Sequence, residues 1–432
     1  DIVVEAGNGD KSTIGVTLDV WNLDLPDMTS VASWFIFRPD SLVDYHSGIV
    51  DQYGWLDWTE RPRMITKRYE ELAHTHRIDT SQHFIHNPEN GCAPPISWAT
   101  YDNEIAPYMD GTYFEDGVPS TQLTIEFSPG APDWGMGSEC NHQQYTALAK
   151  AWADHLREKD WFDRSMVLTL DEPGADDIEG IATQATWMAE GDPGWKDRII
   201  STVTPYFTYT EILNPAIGTY VVTPNSYSFT DDETLVDSQG DAYGRFTIDE
   251  LFDQGISLWF YESNSVHAPY PGFATNSLDG AEPEMLMWGS WFERATGFLY
   301  WSVNYWNEEE PWGPNYENYK TGEGVLLYPG HHDGELAPAG SPADVGMDGP
   351  VPSYRLKAIR TGLQDWALFA LADELSLGEY ARQQVGQVYG QFGECEYPGC
   401  APSINGFYWT TDAALMDEVR YNIASAIIAA SP

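Results

Sequence analysis

The sequence predicts an α/β protein: a (β/α)8 TIM-type barrel with a helical C-terminal elaboration. Three observations carry that expectation. Short apolar, β-branched runs recur along the chain with helical or long connections between most of them, the order of a parallel barrel. One such run, Met166–Gly174 (MVLTLDEPG), ends in two adjacent carboxylates, Asp171 and Glu172, before Pro173 and Gly174 stop it. A buried strand that delivers acids to its C-terminal end is what a barrel active site needs. The same pair also reads as a solvated helix start, because acids suit a first helical turn. Finally, no repeat at a fixed period is present, which argues against a solenoid or propeller.

Taken in order, residues 1–10 are polar and read as frayed, and residues 14–23 alternate as a strand. Residues 33–37 (SWFIF) form the first barrel strand, and 40–60 hold no clear period. Pro62 opens a helix over 62–76 with Ile65, Tyr69, Leu72 and Ala73 on one face. Further strands are expected at 78–85, 123–127, 166–170, 198–203, 219–223, 256–261 and 297–301. Helices at 142–159, 176–190, 246–253 and 283–294 alternate with them, and a long loop carrying Cys92 and Pro94–Pro95 follows 78–85. Residues 304–352 are loop-rich, and a loop that long inside a compact domain is usually functional. A helix over 353–375 carries Leu356, Ile359, Leu363, Trp366, Leu368 and Leu371, and helical stretches follow at about 378–390 and 411–430. The domain reading is an N-terminal strand or connection at 1–30, the catalytic barrel at 31–375, and a helical extension at 376–432 packed on the barrel.

Composition narrows the partners. The chain has 432 residues with 67 acidic against 21 basic, a formal net charge of −46. Phosphate neutralisation needs a basic footprint, so nucleic acid is excluded, and an anionic membrane surface with it. No run is long and apolar enough for membrane insertion. Eighteen Trp and 25 Tyr exceed what a core usually needs; flat rings stack on sugar faces, although any single Trp is as readily a core residue. Four cysteines fit an oxidising compartment: Cys395 and Cys400 enclose a short turn and Cys92 is the partner for Cys140, with free thiols as the alternative. With no initiator Met and no leader, the chain reads as a processed, secreted protein. No zinc, phosphate-loop or GxSxG signature is present, so neither cofactor nor metal is expected. The acidic run 230–241 lacks EF-hand spacing and reads as a solvated loop, and His331–His332 as a surface loop.

Several motifs resemble one family. LTLDEPG at 168–174, WNLDLP at 21–26, the His76–Arg77 pair, WFYESN at 259–264, GFLYWSVNYW at 297–306 and GEGVLLYPG at 322–330 followed by GPVPSYRLKAIRTGLQDW at 349–366 are similar to the catalytic domain of glycoside hydrolase family 123. Two departures stand out: little of the β-sandwich that usually precedes that domain can be present, and no Arg lies near Glu284 in the helix before strand eight, which implies an altered subsite. The resemblance implies a retaining, β-N-acetylgalactosaminidase-like glycosidase acting on β-linked N-acetylhexosaminides. Adjacent carboxylates cannot easily flank a sugar, whereas they suit substrate-assisted cleavage through an oxazolinium, an exception to the two-carboxylate scheme. The resemblance gives Asp171 the task of orienting the substrate's acetamido group and Glu172 that of acid/base. Tyr261 is the candidate donor to the acetamido carbonyl. Trp259, Trp301 and Trp306 are candidate walls around the sugar, and Asn225 and Asn304, just past two strands, candidate hydroxyl binders.

Two competing readings stay open. An ordinary two-carboxylate mechanism would look to Glu126 or Glu262, and another specificity on the same barrel includes endo-action on an amino-sugar exopolysaccharide. A non-catalytic carbohydrate-binding or cell-surface protein is the other, although a binding module needs no acid pair. The expected partner is an oligo- or polysaccharide; oligomeric state is left open.

Overall fold

The computed structural model describes residues 2–18, 20–27, 31–39, 41–42, 60–80, 92–93, 97–125, 129–130, 140–224, 235–236, 242–243, 245–266, 270–273, 280–306, 322–329, 350–390, 409–410 and 412–431. Strands β1 (Ile2–Glu5) and β2 (Lys11–Ile14) pair antiparallel around a turn in which Gly9 N donates to Ala6 O and Asp10 N to Asn8 Oδ1. This corrects the expectation of a frayed start and a strand at 14–23: the Asn8–Gly9 turn closes a hairpin earlier. There follow β3 (Ala32–Phe35), α1 (Glu60–Thr75), α2 (Ala99–Asp110), β4 (Leu123–Thr124), α3 (His142–Glu158) and β5 (Ser165–Leu168). Next come α4 (Ile178–Gly191), β6 (Ile199–Ser201), α5 (Phe207–Leu213), β7 (Thr219–Val222), β8 (Leu235–Val236), β9 (Ala242–Tyr243), α6 (Arg245–Asp253) and β10 (Ser257–Glu262). The described chain ends with α7 (Glu282–Phe292), β11 (Gly297–Tyr300), β12 (Leu327–Tyr328), β13 (Val351–Pro352), α8 (Tyr354–Glu374), α9 (Gly378–Val385) and α10 (Ala413–Ala430). The acidic run read as a loop thus holds part of the β8–β9 hairpin.

One sheet organises the molecule. It has seven strands in the order β3-β11-β10-β7-β6-β5-β4, and every neighbouring pair is parallel. The sheet's first strand in sequence, β3, lies beside its last, β11, and the sheet curls. The eighth strand, expected at 78–85, is not found among the described residues. Of it, residues 78–80 are described and are not in a strand, although Phe35 N donates to Asp79 O at 2.9 Å. The Asp79 carboxylate also accepts from Thr121 N at 2.6 Å and Gln122 N at 3.1 Å, ahead of β4. Residues 81–85 lie outside the described residues. Among the described residues the finding is therefore a curled, seven-stranded parallel half-barrel; closure by an eighth strand is not part of it.

Strand residues alternate between two apolar layers, as a period of two requires. Trp34, Met166, Ile200, Val221, Trp259 and Leu299, one from each of six strands, pack together inside the curl. The intervening residues, including Phe35, Val167, Ile199, Tyr220, Phe260 and Phe298, face the helices and form the larger core. Burial on both faces explains why these strands read as continuous apolar runs. Gly297 on β11 is forced by this packing, because a Cβ there would come within 2.1 Å of the Trp259 ring.

Local chemistry sets the helix limits. Asn141 and Gln144 form a reciprocal capping box at the start of α3, with Gln144 N to Asn141 Oδ1 at 3.1 Å. Ser353 caps α8 and Asp412 caps α10. Helix α2 was not expected, since Pro107 interrupts its pattern, yet it buries Tyr101, Ile105 and Met109 at a spacing of four. The expected Cys92–Cys140 disulfide is formed, tying residues 48 apart; Cys395 and Cys400 lie outside the described residues.

Two buried acidic clusters brace the helices. Glu70 on α1 accepts from Tyr108 Oη at 3.1 Å and from Tyr113 Oη. Burial pushes its carboxyl up to about 7 from 4.5, against the opposing pull of those two hydroxyls. On the other side, Arg420 of α10 makes a bidentate pair with Asp365 of α8 at 2.7 and 2.9 Å and also meets Glu284 of α7. Trp288 Nε1 donates to Asp365 Oδ2 at 2.9 Å, and the guanidinium lies over the Trp288 ring. Burial pushes Glu284 up to about 7, against the opposing pull of Arg420 and with the Asp365 charge adding to the rise. Glu284 therefore serves helix packing, with Arg420 of α10 as its cation.

A carboxyl whose folded pKa is raised binds its proton more tightly when folded, so its contribution is full below 4.5 and is lost as pH rises towards 7. For Glu70 the span corresponds to about 3 kcal/mol. Denaturant midpoints measured from pH 4.5 to 8 should fall with rising pH, and Glu70→Gln should flatten that fall. Arg420→Met leaves two buried acids without their cation and should cost about 3–5 kcal/mol. Thermal unfolding should show a larger loss at pH 8 than at pH 5, where Glu284 is neutral.

Candidate functional site

The C-terminal ends of β5, β6 and β10 bring the candidate residues together. Beyond β5 the chain leaves the sheet at Thr169, whose N–H still bonds Ile200 O of β6 at 3.0 Å, while Leu170 N donates to Pro129 O at 2.9 Å. Asp171 and Glu172 follow, both exposed. Thr202, the residue after β6, supplies one hydroxyl to both: it donates to Asp171 Oδ1 at 2.7 Å and accepts from Glu172 N at 2.8 Å. Glu172 sits in the left-handed region with φ of +45°, a conformation that costs a non-glycine residue about 1–3 kcal/mol and gathers at functional sites. The helix-start reading of this pair is not what is found: α4 begins at Ile178, after a separate turn at 175–177.

Tyr261 enters from β10. Two positions before it, Trp259 belongs to the inner layer, so the alternation carries Tyr261 to the same face at the rim. Its hydroxyl donates to Glu172 Oε1 at 3.2 Å. Burial, aided by the charges of Glu172 and Asp171, pushes the phenol above its ordinary range and keeps it a donor. The structure thus joins Asp171, Glu172 and Tyr261, three residues from two separate strand ends. Glu262, the next acid in line, has the opposite parity. It is completely buried towards the helices, and its Oε1 accepts from Phe273 N at 3.2 Å.

The other candidates divide. Trp301, just past β11, is partly exposed and sits edge-on to Tyr305 at 4.9 Å, with the Arg38 guanidinium 5.7 Å from its ring centre. Its Nε1 donates to the buried Glu323 at 3.2 Å, and Gly324, at φ +71°, lies so close that a Cβ would come within 2.7 Å of the indole. The GEGVLLYPG motif therefore seats Trp301. Trp259 is 4% exposed in the inner layer and is not a wall of the open rim. Trp306 is also buried, donating to Leu327 O at 3.1 Å and packing edge-on against Tyr69. Asn304 is fully buried and uses its amide on Arg38, accepting from Arg38 N and donating to Arg38 O, both at 2.8 Å. In these three, packing and backbone pairing occupy the side chains that the sequence offered for sugar contact. Asn225 and Glu126 lie outside the described residues.

Sequence reasoning did not find Thr202, Arg38, Tyr305 or Glu323. A lone Thr one residue after a strand carries no signal by itself; its position beside Asp171 follows from the β5–β6 register. At the opposite end of the sheet, a cavity of 410 Å³ is lined by Asp27, His74, Arg77, Asp79, Ser120 and Arg360 among others. His76 is buried, with Nδ1 donating to Leu72 O at 2.7 Å. The His76–Arg77 pair thus belongs to the N-terminal face, where barrel folds place stability rather than chemistry. Among the described residues no group of three or more His, Cys, Asp or Glu is arranged to hold a metal ion.

The model of the family "Glycoside hydrolase 123, catalytic domain" matches residues 120–372, more than half of the chain and the whole stretch carrying Asp171, Thr202, Tyr261 and Trp301. No curated protein matches the chain. A solved family 123 glycoside hydrolase from Clostridium perfringens, studied for glycolipid glycan hydrolysis, is similar over 95% of this chain and 71% of that one, with a TM-score of 0.57 and 16% identity. At that identity the likeness speaks for the fold. On the family match, this chain belongs to the catalytic domains of glycoside hydrolase family 123 and is a glycoside hydrolase.

Proposed function

We propose that this glycoside hydrolase cleaves β-linked N-acetylhexosaminides, N-acetylgalactosaminides foremost, with retention and by substrate-assisted catalysis. The observation that carries the reading is the pair of adjacent carboxylates at the end of β5, each held by a different hydroxyl: Asp171 by Thr202 at 2.7 Å and Glu172 by Tyr261 at 3.2 Å. Ordinary retaining cleavage needs two carboxyls about 5–5.5 Å apart across the scissile bond, and inverting cleavage about 6.5–9.5 Å. Neighbours on one turn do not straddle a sugar, and of the two acids an ordinary mechanism would call on, Glu262 faces away and Glu126 lies outside the described residues. The substrate's own acetamido oxygen is then the nucleophile.

In the first step that oxygen attacks C1 while Glu172 gives its proton to the glycosidic oxygen. The C1–O bond breaks and the aglycone leaves as an alcohol. Asp171 accepts from the acetamido N–H and offsets the positive charge of the oxazolinium. Glu172, now a carboxylate, takes a proton from the water that attacks C1, which reopens the ring with net retention. In this reading Tyr261 turns its hydroxyl from Glu172 to the acetamido carbonyl, and Trp301 stacks on the sugar. The galacto preference rests on the family resemblance, and the glycolipid glycans studied with the Clostridium perfringens relative offer a substrate class. The Cys92–Cys140 disulfide supports an oxidising, extracellular setting.

Aryl β-N-acetylgalactosaminide and β-N-acetylglucosaminide are the first substrates to assay. Glu172→Gln and Asp171→Asn should each lower kcat/KM by about 10²–10⁴-fold, and a thiazoline mimic of the oxazoline should inhibit. Absence of turnover on both glycosides, with no thiazoline binding, would end the reading. Tyr261→Phe removes one donor to the developing charge and should cost about 10²-fold in kcat; an unchanged kcat would take Tyr261 out of the site.

A further inference from the structure

We propose that Thr202 is a positioning residue of this site, bracing both carboxylates with one hydroxyl; this rests on Asp171 and Glu172 being the reacting pair. A threonine hydroxyl has a single proton. Glu172 N–H points at Thr202 Oγ1 from 2.8 Å, which occupies the oxygen as acceptor, and the proton is committed to Asp171 Oδ1 at 2.7 Å. Oδ1 is thereby held, leaving Oδ2 to meet the acetamido N–H. The same oxygen anchors the amide of a residue at φ +45°, a backbone state that persists only where its surroundings enforce it.

The hydroxyl has no slack to give. Thr202 is 6% exposed and follows directly on Ser201 of β6. Ser201 Oγ accepts from Thr169 Oγ1 at 2.8 Å, and both side chains are fully buried. Thr169 N bonds Ile200 O at 3.0 Å one step earlier. Strands β5 and β6 are thus locked side by side immediately beneath the acids, and Thr202 carries that lock outward to the reacting groups. A misplacement of about 1 Å from a residue that does not itself react can cost 10²-fold.

The test compares Thr202→Val, which keeps the shape and removes the hydroxyl, with Thr202→Ser, which keeps the hydroxyl. On aryl β-N-acetylgalactosaminide, Thr202→Val should lose about 10–100-fold in kcat with KM little changed, and Thr202→Ser should stay within about threefold of wild type. The Thr202→Val deficit should persist with an activated dinitrophenyl aglycone, because Asp171 assists whatever the leaving group. Wild-type kcat in Thr202→Val, or no recovery in a folded Thr202→Ser, overturns the proposal. So does a deficit confined to poor leaving groups, which places Thr202 on Glu172 alone. A crystal structure of Thr202→Val gives a readout independent of substrate: Glu172 should leave the left-handed region and Asp171 should lose its fixed rotamer. Retention of both overturns the brace. Failure of the wild type to turn over any N-acetylhexosaminide would instead defeat the proposed function, and the crystallographic comparison would still decide the brace.

Discussion

The inner layer of the curled sheet is the constraint on which the rest depends. A parallel sheet that curls must fill its own interior with side chains, and here six strands each send in one large apolar group, with Trp34 and Trp259 the bulkiest. That filling fixes which residues of each strand face inward. Because side chains alternate, it also fixes which ones emerge at the rim: Tyr261 two positions after Trp259, and Thr202 two positions after Ile200. Glu262 is sent the other way by the same rule. Slipping any of these strands by one residue would exchange the two sets.

Polar groups then refine what packing has placed. Below the rim, the Thr169–Ser201 pair and the backbone bond from Thr169 to Ile200 lock β5 to β6. At the rim, Thr202 ties both carboxylates to that lock, and Tyr261 reaches Glu172 from across the curl. On the far side, Glu323 and Gly324 hold Trp301 at the mouth. The rim combines few hydrogen bonds with firm backing, which is how rigid scaffolds hold reactive groups in place.

The acidic balance is managed differently inside and out. With 67 acids and 21 bases, many carboxylates have no cation to meet. Most lie at the surface, where water solvates them. Among the described residues, buried or half-buried ones accept from backbone N–H groups, as Asp79 and Glu262 do, from hydroxyls, as Glu70 does from Tyr108 and Tyr113, or share one cation, as Glu284 and Asp365 share Arg420. Arg420 thereby joins α10 to α7 and α8, so the scarcity of bases makes a single guanidinium hold three helices.

By itself the sequence determined the alternation of strands and helices, the parallel sheet and the acid pair at the end of β5. Those signals are local: hydrophobic period, capping residues, and a strand that stops at Pro173. Helix α2 escaped because Pro107 broke a pattern that burial of Tyr101, Ile105 and Met109 completes. Only the tertiary structure decided among the aromatic and amide candidates. Trp259, Trp306 and Asn304 sit near strand ends just as Trp301 does, and sequence position cannot tell an indole that fills a core from one that opens to a cleft. Thr202 was illegible for the same reason. Its role exists only because the β5–β6 register sets it, from thirty-one residues away, against Asp171, and the register of distant strands is fixed by packing rather than by any neighbouring residue.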